Sequence, residues 1–160
     1  MSGHAFACFP FVLAMSFAWQ SALAEEFSLM IGSPVAAQSF GSKTSVFVFR
    51  SKGCPEPAKL QVGGTAEGFV GSARRTVRLS RIAAMPTPGV FAVHREWPVE
   101  GVWLVSLTGH CADSTAGALI PIGAKGFSRA SSRFFPRAAT EAEIEASLKA
   151  LAADNSEAAK

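Results

Sequence analysis

The sequence predicts an all-β protein, an antiparallel β-sandwich followed by a C-terminal amphipathic helix. Between residues 25 and 137, short runs rich in Val, Phe, Ile and Leu are separated by Gly or Pro about every ten residues. After residue 137 the spacing of apolar residues changes to that of a helix. A hydrophobic fraction of 49% and a charged fraction of 17% exclude a disordered chain, and 160 residues provide one domain.

The N-terminal part of the chain has the pattern of an export signal. Residues 1–24 contain no Lys, Arg, Asp or Glu, and the run 5–19 is almost entirely apolar. Small residues at Ala22 and Ala24, followed by the acidic Glu25, are typical of a signal peptidase site. An uncleaved membrane anchor is the alternative, but the apolar run is short for a bilayer. We expect a signal peptide cleaved between Ala24 and Glu25.

The sequence therefore divides into three parts. These are a signal peptide at 1–24, a β-sandwich domain at 25–137, and a C-terminal helix and tail at 138–160. No segment after the signal peptide has the length and apolar character needed to span a membrane. We expect the protein to be periplasmic or secreted, without a membrane span after signal cleavage.

Two cysteines, Cys54 and Cys111, remain after removal of the signal peptide, because Cys8 leaves with it. In an exported domain, two thiols most simply form a disulfide. It would close a loop of about 56 residues. The conformational entropy that the unfolded chain loses through this crosslink corresponds to a stabilisation of the folded state by roughly 4 kcal/mol. The alternative is a metal site that combines both cysteines with His94 and His110, although their spacing matches no familiar zinc pattern.

The predicted strands are runs of β-branched and aromatic residues between turn signals. They cover residues 27–31, 44–49, 59–66, 73–82, 90–97, 102–110, 116–122 and 127–135. Segment 44–49 is apolar on both faces, as in a central strand. Segment 73–82 has Val77 and Leu79 on one face and polar residues on the other, which is typical of a half-buried antiparallel strand. Pro121 favours a sheet edge for its strand.

Two tryptophans flank the predicted turn at 98–101. Trp103 shares a strand face with Cys111, so we expect it to fill the core beside the disulfide. Trp97 is expected either to pack across the hairpin or to be a half-exposed contact residue.

Residues 138–160 have helical signals. Thr140 and Glu143 form a capping-box pattern, which predicts a helix over 141–153 and a frayed tail over 154–160. A narrow apolar stripe follows at i, i+4 and i+7: Ile144, Leu148 and Leu151. Such a short helix is marginal alone, so it must dock on its own sandwich or on a partner. The segment holds 5 acidic and 2 basic residues, against 7 acidic and 13 basic in 25–137. Its polar flank could therefore face a basic sheet edge, or both charged regions could simply be solvated.

The motifs in the sequence do not predict an enzyme. The sequence lacks Gly-x-Ser-x-Gly, His-Glu-x-x-His, Cys-x-x-Cys and Gly-x-Gly-x-x-Gly. Only His94 and His110 could act as neutral-pH bases after cleavage, and they lie on separate predicted strands. A small hydrolase is therefore the least favoured interpretation, and no cofactor is expected. Copper binding is an alternative, with a candidate ligand set of His94, His110, Asp113, Met85 and Glu96.

The strongest polar cluster lies on the predicted strand 73–82. It consists of four arginines, two of them on the outward face: Arg74, Arg75, Arg78 and Arg81. Such a stripe could contact an acidic protein, an anionic glycan or lipid head groups. Nucleic acid is a poor candidate, because no stacking aromatics alternate with these arginines. Alternatively, the arginines only keep a strand edge soluble and unpaired. These four residues and Trp97 are the candidate interaction residues.

The stretches 88–93 and 96–105 resemble a recurring hairpin of small bacterial periplasmic immunoglobulin-like modules, including YtkA-like and copper-resistance sandwich domains. The shared pattern is Pro-Gly-aromatic followed by Trp-Pro-x-x-Gly-x-Trp. Here it corresponds to Pro88, Gly89, Phe91, Trp97, Pro98, Gly101 and Trp103. The resemblance covers about 20 residues and implies an immunoglobulin-like fold and export. The copper-binding positions of that family have no counterparts in this sequence, so no ligand residues are carried over.

These observations together predict an exported, non-catalytic β-sandwich that binds another protein of the bacterial cell envelope. The partner would meet the hairpin, the basic strand or the C-terminal helix. A periplasmic copper-handling accessory protein is the alternative function.

Overall fold

The computed structural model of the protein describes residues 25–32, 45–123 and 126–158. The predicted signal peptide, including Ala24 of the predicted cleavage site, lies outside these described residues. Glu25, on the other side of that site, is exposed, and its carboxylate lies 2.6 Å from the ammonium group of Lys52.

The described residues form ten β-strands in two antiparallel sheets, followed by one α-helix. The strands are β1 (Ser28–Gly32), β2 (Ser45–Lys52), β3 (Gln61–Val70), β4 (Ala73–Arg78), β5 (Ile82–Ala84), β6 (Val90–His94), β7 (Val102–Cys111), β8 (Ser114–Gly123), β9 (Gly126–Phe127) and β10 (Arg133–Phe135). One sheet has the order β1-β2-β6-β5, and the other β10-β8-β7-β3-β4, with β9 also paired to β8. The helix α1 covers Glu141–Ala158. The prediction of an all-β sandwich with a C-terminal helix is confirmed.

One apolar core fills the space between the sheets. Side chains alternate along each strand, so every second residue of the central strands enters this core. In β2 these include Phe47 and Phe49, and in β7 they include Trp103, whose indole N–H donates to the Glu100 carbonyl at 2.9 Å. Both strands lie between two neighbours in their sheets, as the apolar segment 44–49 predicted for β2.

A disulfide joins Cys54 to Cys111, with a Cα–Cα distance of 5.8 Å. Cys111 is buried at the end of β7 in one sheet, and Cys54 follows β2 of the other. The predicted disulfide is confirmed, and it connects the two layers of the sandwich covalently.

The predicted strand 73–82 is divided between the two sheets. Strand β4 ends at Arg78 in the six-stranded sheet, and β5 begins at Ile82 in the four-stranded sheet. Leu79 is still held to β3, because its N–H donates to the Gly64 carbonyl at 3.0 Å. The chain therefore crosses between the layers at residues 80–81, a change that uninterrupted alternation in the sequence does not reveal.

The predicted strand 127–135 is also interrupted. A turn at 128–132 separates β9 from β10, and both short strands pair with β8. Pro121 lies in β8 between these two pairings, where its carbonyl accepts from the Ser128 N–H at 2.9 Å. In an antiparallel strand, the N–H and C=O groups of one residue point towards the same neighbouring strand. The position at which proline lacks an N–H therefore faces the interval between the two pairings with β9 and β10. Pro121 is thus accommodated inside a sheet rather than at its edge.

Helix α1 begins where the capping box predicts. The Glu143 amide donates to Thr140 Oγ1 at 3.4 Å, and the Thr140 amide donates to Glu143 Oε2 at 2.8 Å. The helix continues to Ala158, so the prediction of a frayed tail from residue 154 is wrong over 154–158. Alanine-rich sequence favours this extension, and Asn155 Nδ2 donates back to the Leu151 carbonyl at 2.8 Å.

The helix docks on its own sandwich. Ile144 and Leu148 are buried against Leu104 and Leu119, which lie on the outer face of the six-stranded sheet. This packing decides between the two expectations for the helix, since Ile144 and Leu148 of its apolar stripe are covered within the chain, while Leu151 is partly buried. Among the described residues, no helix combines the length and apolar character required to cross a membrane.

Candidate functional site

The edge strand β4 carries most of the predicted basic cluster. In the described part of the chain it pairs only with β3, in a continuous register from Val70 opposite Ala73 to Thr65 opposite Arg78. Every residue of β4 is exposed except Val77, which packs against the core. Among the described residues, the second edge of this strand is unpaired along its whole length.

The orientation of the β4 backbone follows from its last bond to β3. The N–H of Leu79 faces β3, so the backbone groups of Val77 and Arg75 do so as well. The N–H and C=O groups in between consequently point away from the sheet: those of Arg74, Thr76 and Arg78. The free edge offers hydrogen-bond donors and acceptors at every second residue.

Arg74 is held within the protein. Its Nη2 donates to Glu67 at 2.6 Å and to Glu141 of α1 at 2.8 Å. The hydrogen bond to Glu67, followed by that to Glu141, raises the pKa of the Arg74 guanidinium. Since Glu67 is itself nearly buried, Arg74 compensates its charge and ties β3, β4 and the helix together. The acidic helix thus meets the basic edge, one of the two arrangements considered from the charge distribution.

Of the arginines in β4, Arg75 and Arg78 are exposed and have no such carboxylate partner within the described ranges. Neither lies within ion-pair distance of a carboxylate among the described residues. Arg78 shares the outer face with Arg74, whereas Arg75 shares the face of Val77 at the rim of the core. The two free charges lie about 10 Å apart along the strand, on opposite faces.

The fourth arginine follows the end of β4 and belongs to a corner built around Glu96. The Glu96 carboxylate accepts from the Ser80 N–H at 2.6 Å, from the Arg81 N–H at 2.8 Å and from the Ser80 hydroxyl. Burial acts to raise the Glu96 pKa, but these hydrogen bonds and the Arg81 charge together lower it. The Arg81 side chain is exposed beside this corner. Sequence reasoning considered Glu96 only as a metal ligand and missed this role.

Trp97 is not part of the exposed surface. It is only 3% exposed and belongs to the core, with the Arg95 guanidinium 5.8 Å from its ring. Its indole N–H has no hydrogen-bond partner among the described residues. The prediction of Trp97 as a half-exposed contact residue is therefore wrong, because its side chain is buried in the core.

The two histidines do not share a site. His94 follows the inward Val93 in the four-stranded sheet, so it lies on the outer side of that layer. His110 lies on the outer side of the other layer, with Nδ1 3.0 Å from the Thr115 hydroxyl. Among the described residues, no three His, Cys, Asp or Glu side chains are grouped to hold a metal ion.

Two depressions on the protein surface bear on the candidate site, and sequence reasoning predicted neither. One, with a volume of about 710 Å³, lies between α1 and the β9–β10 turn and is lined by residues including Phe127, Arg133 and Leu151. The other, of about 610 Å³, lies on the outer sheet face beside β4 and is lined by residues including Thr76, Arg78 and His110. The second depression extends the basic edge onto the sheet face.

The candidate surface is therefore the β4 edge, with Arg75 and Arg78 as its uncompensated charges and Arg81 beside it. An exposed strand edge offers backbone hydrogen bonds, and clustered arginines favour acidic ligands. Comparisons with protein-family models, with curated proteins and with solved structures found no match to this chain.

Proposed function

We propose that the protein is an exported, non-catalytic interaction module of the bacterial cell envelope that binds an acidic partner protein through the β4 edge. The observation that carries this proposal is the free edge of β4 with its uncompensated Arg75 and Arg78. Of the three surfaces considered from the sequence, the helix buries Ile144 and Leu148 within the chain, and the hairpin buries Trp97 but exposes Val99 at its turn. The basic strand is favoured because it combines exposed cations with a strand edge that is unpaired among the described residues.

Export to the periplasm rests on the signal pattern of residues 1–24 and is supported by the disulfide. Disulfides persist in oxidising compartments, such as the periplasm and the extracellular space. The immunoglobulin-like relationship is likewise a proposal, supported by the two antiparallel layers and by the core Trp103 close to a disulfide that joins them. Mass spectrometry of the exported protein is expected to find Glu25 at its N-terminus.

Site-specific photo-crosslinking in intact cells tests the proposed surface. A photoreactive residue replaces Thr76 at the β4 edge or, as the control, Ala130 in the β9–β10 turn on the far side of the same sheet. We expect a discrete crosslinked protein of acidic composition from position 76 only. The double variant Arg75→Glu/Arg78→Glu should abolish this product because it reverses the local charge.

The matched charge control is Arg129→Glu, since Arg129 is also exposed but lies in the β9–β10 turn. This variant should leave the crosslink from position 76 unchanged. An equal yield from both edges, or a crosslink that survives reversal of Arg75 and Arg78, would overturn the proposal.

A further inference from the structure

The free edge of β4 has a chemical character beyond its charge. The backbone N–H and C=O groups of Arg74, Thr76 and Arg78 point outward, so they match the spacing of a neighbouring strand. An exposed edge of this kind can template the pairing of another chain. A lipid head group or a glycan could neutralise the arginines, but neither carries the regular amide pattern that such an edge pairs with.

We infer that the partner supplies an extended acidic segment, which adds to the edge of β4 as a further strand of the six-stranded sheet. This inference rests on the proposed function and specifies how the partner is recognised. Main-chain hydrogen bonds would provide affinity, and the side chains opposite the β4 arginines would provide specificity.

The arrangement of charges on β4 defines the sequence that fits. Arg74 already contacts two carboxylates, so a further acid opposite it would meet Glu67 and Glu141. Arg75 and Arg78 are uncompensated, and they lie three residues apart. A partner strand that runs parallel or antiparallel to β4 therefore fits best when it carries two acidic residues three positions apart, in the pattern Glu-x-x-Glu. Its residue opposite Val77 should be apolar.

A second copy of this chain is a poor occupant of the same edge. Antiparallel pairing of two β4 strands centred on Thr76 would place Arg74 and Arg78 of the two copies opposite each other. Like charges in directly opposed positions destabilise a strand pair. The occupant is instead a segment with the opposite charge, which the basic edge attracts.

Binding of a synthetic peptide tests the inference directly. The probe is a capped peptide of about ten residues, rich in threonine, with a central Glu-Val-Thr-Glu sequence. Binding is measured by calorimetry or fluorescence anisotropy with the disulfide-bonded protein that lacks residues 1–24. The control peptides have lysines in place of the glutamates, or the same composition with the glutamates adjacent. We expect the probe to bind about tenfold more tightly than either control.

A proline substitution separates strand pairing from charge attraction. Thr76→Pro removes an outward N–H while retaining every arginine, and proline is tolerated at strand edges. We expect it to weaken peptide binding about tenfold, whereas Thr76→Ala should leave binding within about twofold. Thermal unfolding of both variants checks that the sheet is intact.

A modified peptide provides the same test on the unaltered protein. N-methylation of alternate backbone amides prevents the peptide from pairing as a strand but keeps its side chains and charge. We expect binding to fall by about tenfold or more. Equal binding of the methylated and unmethylated peptides would overturn strand addition, and so would equal binding by Thr76→Pro and Thr76→Ala.

The two proposals fail in different ways. If the peptide experiments are negative but the acidic partner still crosslinks to position 76, strand addition is wrong and the proposed function stands. If no partner crosslinks to position 76 in cells, the proposed function fails, whatever the peptide does. Binding to anionic vesicles that is tighter than to the peptide and unaffected by Thr76→Pro would assign the arginines to a membrane surface instead.

Discussion

At the corner between the two sheets, one carboxylate receives three hydrogen bonds. Glu96 accepts from the amides of Ser80 and Arg81 and from the Ser80 hydroxyl, just where the chain leaves the six-stranded sheet. These amides follow the last bond of the β3–β4 ladder, so the carboxylate satisfies donors that the sheet does not. Glu96, 15 or 16 positions further along the chain, thereby holds the corner that follows β4.

Replacement of Glu96 should show this role. We expect Glu96→Gln to lower the free energy of unfolding by about 1–2 kcal/mol, because neutral hydrogen bonds replace charge-assisted ones. The matched control is Glu100→Gln, since Glu100 is exposed in a turn. Urea unfolding at neutral pH measures both variants, and an equal stability of the two would contradict the assignment.

At the scale of elements, the C-terminal helix is held by polar contacts at its start and by apolar contacts along its middle. Arg137 and Thr140 both contact Glu143, while Ile144 and Leu148 pack on the sheet. The sheet face that receives the helix is apolar beneath it, at positions such as Leu104 and Leu119. This complementarity explains why a helix with a narrow stripe is ordered.

Truncation of a buried helix residue tests the docking. Leu148 is 2% exposed, so Leu148→Ala should lower the free energy of unfolding by about 2–4 kcal/mol. Lys149→Ala is the adjacent control, which removes only an exposed ion pair with Glu145 and should cost at most about 0.5 kcal/mol. Urea unfolding is the measurement, and a similar small effect for both variants would mean that the helix does not dock.

The start of the helix also predicts a dependence on pH. Hydrogen bonds from Arg137, followed by the Thr140 amide, lower the Glu143 pKa from 4.5 to about 2. A carboxyl group whose pKa is lowered by folding stabilises the folded state above its ordinary pKa, and this stabilisation is lost as the pH falls towards the folded value. The stability of the protein should therefore decrease between about pH 4.5 and pH 2, in part through Glu143.

A titration and a variant separate this contribution from those of other acids. Carboxyl chemical shifts from NMR should place the Glu143 midpoint well below 4.5. Glu143→Gln should make the loss of stability on acidification less steep, whereas Glu100→Gln should not change it. A Glu143 midpoint near 4.5 would show that the contacts with Arg137 and Thr140 do not hold in solution.

At the scale of the whole molecule, the disulfide is the covalent link between the layers. Cys54 follows β2 of one sheet, Cys111 ends β7 of the other, and the two are separated by 57 positions in the sequence. Such a crosslink restricts the unfolded chain far more than the folded one.

Removal of the crosslink should therefore destabilise the protein without a change of fold. We expect the double variant Cys54→Ala/Cys111→Ala to lose roughly 4 kcal/mol of stability at most, and reduction of the wild-type protein to have a similar effect. Thermal unfolding with and without reductant measures this, with the reductant-insensitive double variant as control. Free thiols in the exported protein would contradict the pairing.

Local patterns in the sequence were sufficient for the fold class, for several buried faces and for the start of the helix. Alternation placed Trp103 and Cys111 on one face, and both are buried in the core. The two cysteines that remain after removal of the predicted signal peptide could be paired because no other cysteine is left. The capping box located the helix start at Glu141. These features succeed because the period of apolar residues and the chemistry of a cap depend on neighbours only a few residues away.

Only the tertiary structure decided which elements meet. It divided 73–82 between two sheets, buried Trp97, and brought Glu141 to Arg74 across 67 positions of sequence. That last contact separates the compensated arginine from Arg75 and Arg78, which the sequence presents as equivalent. The alternation of residues along a strand specifies the face on which a side chain lies. The burial of that side chain and the charges around it depend on residues distant in the chain. The free basic edge of β4 is therefore a property of the folded protein.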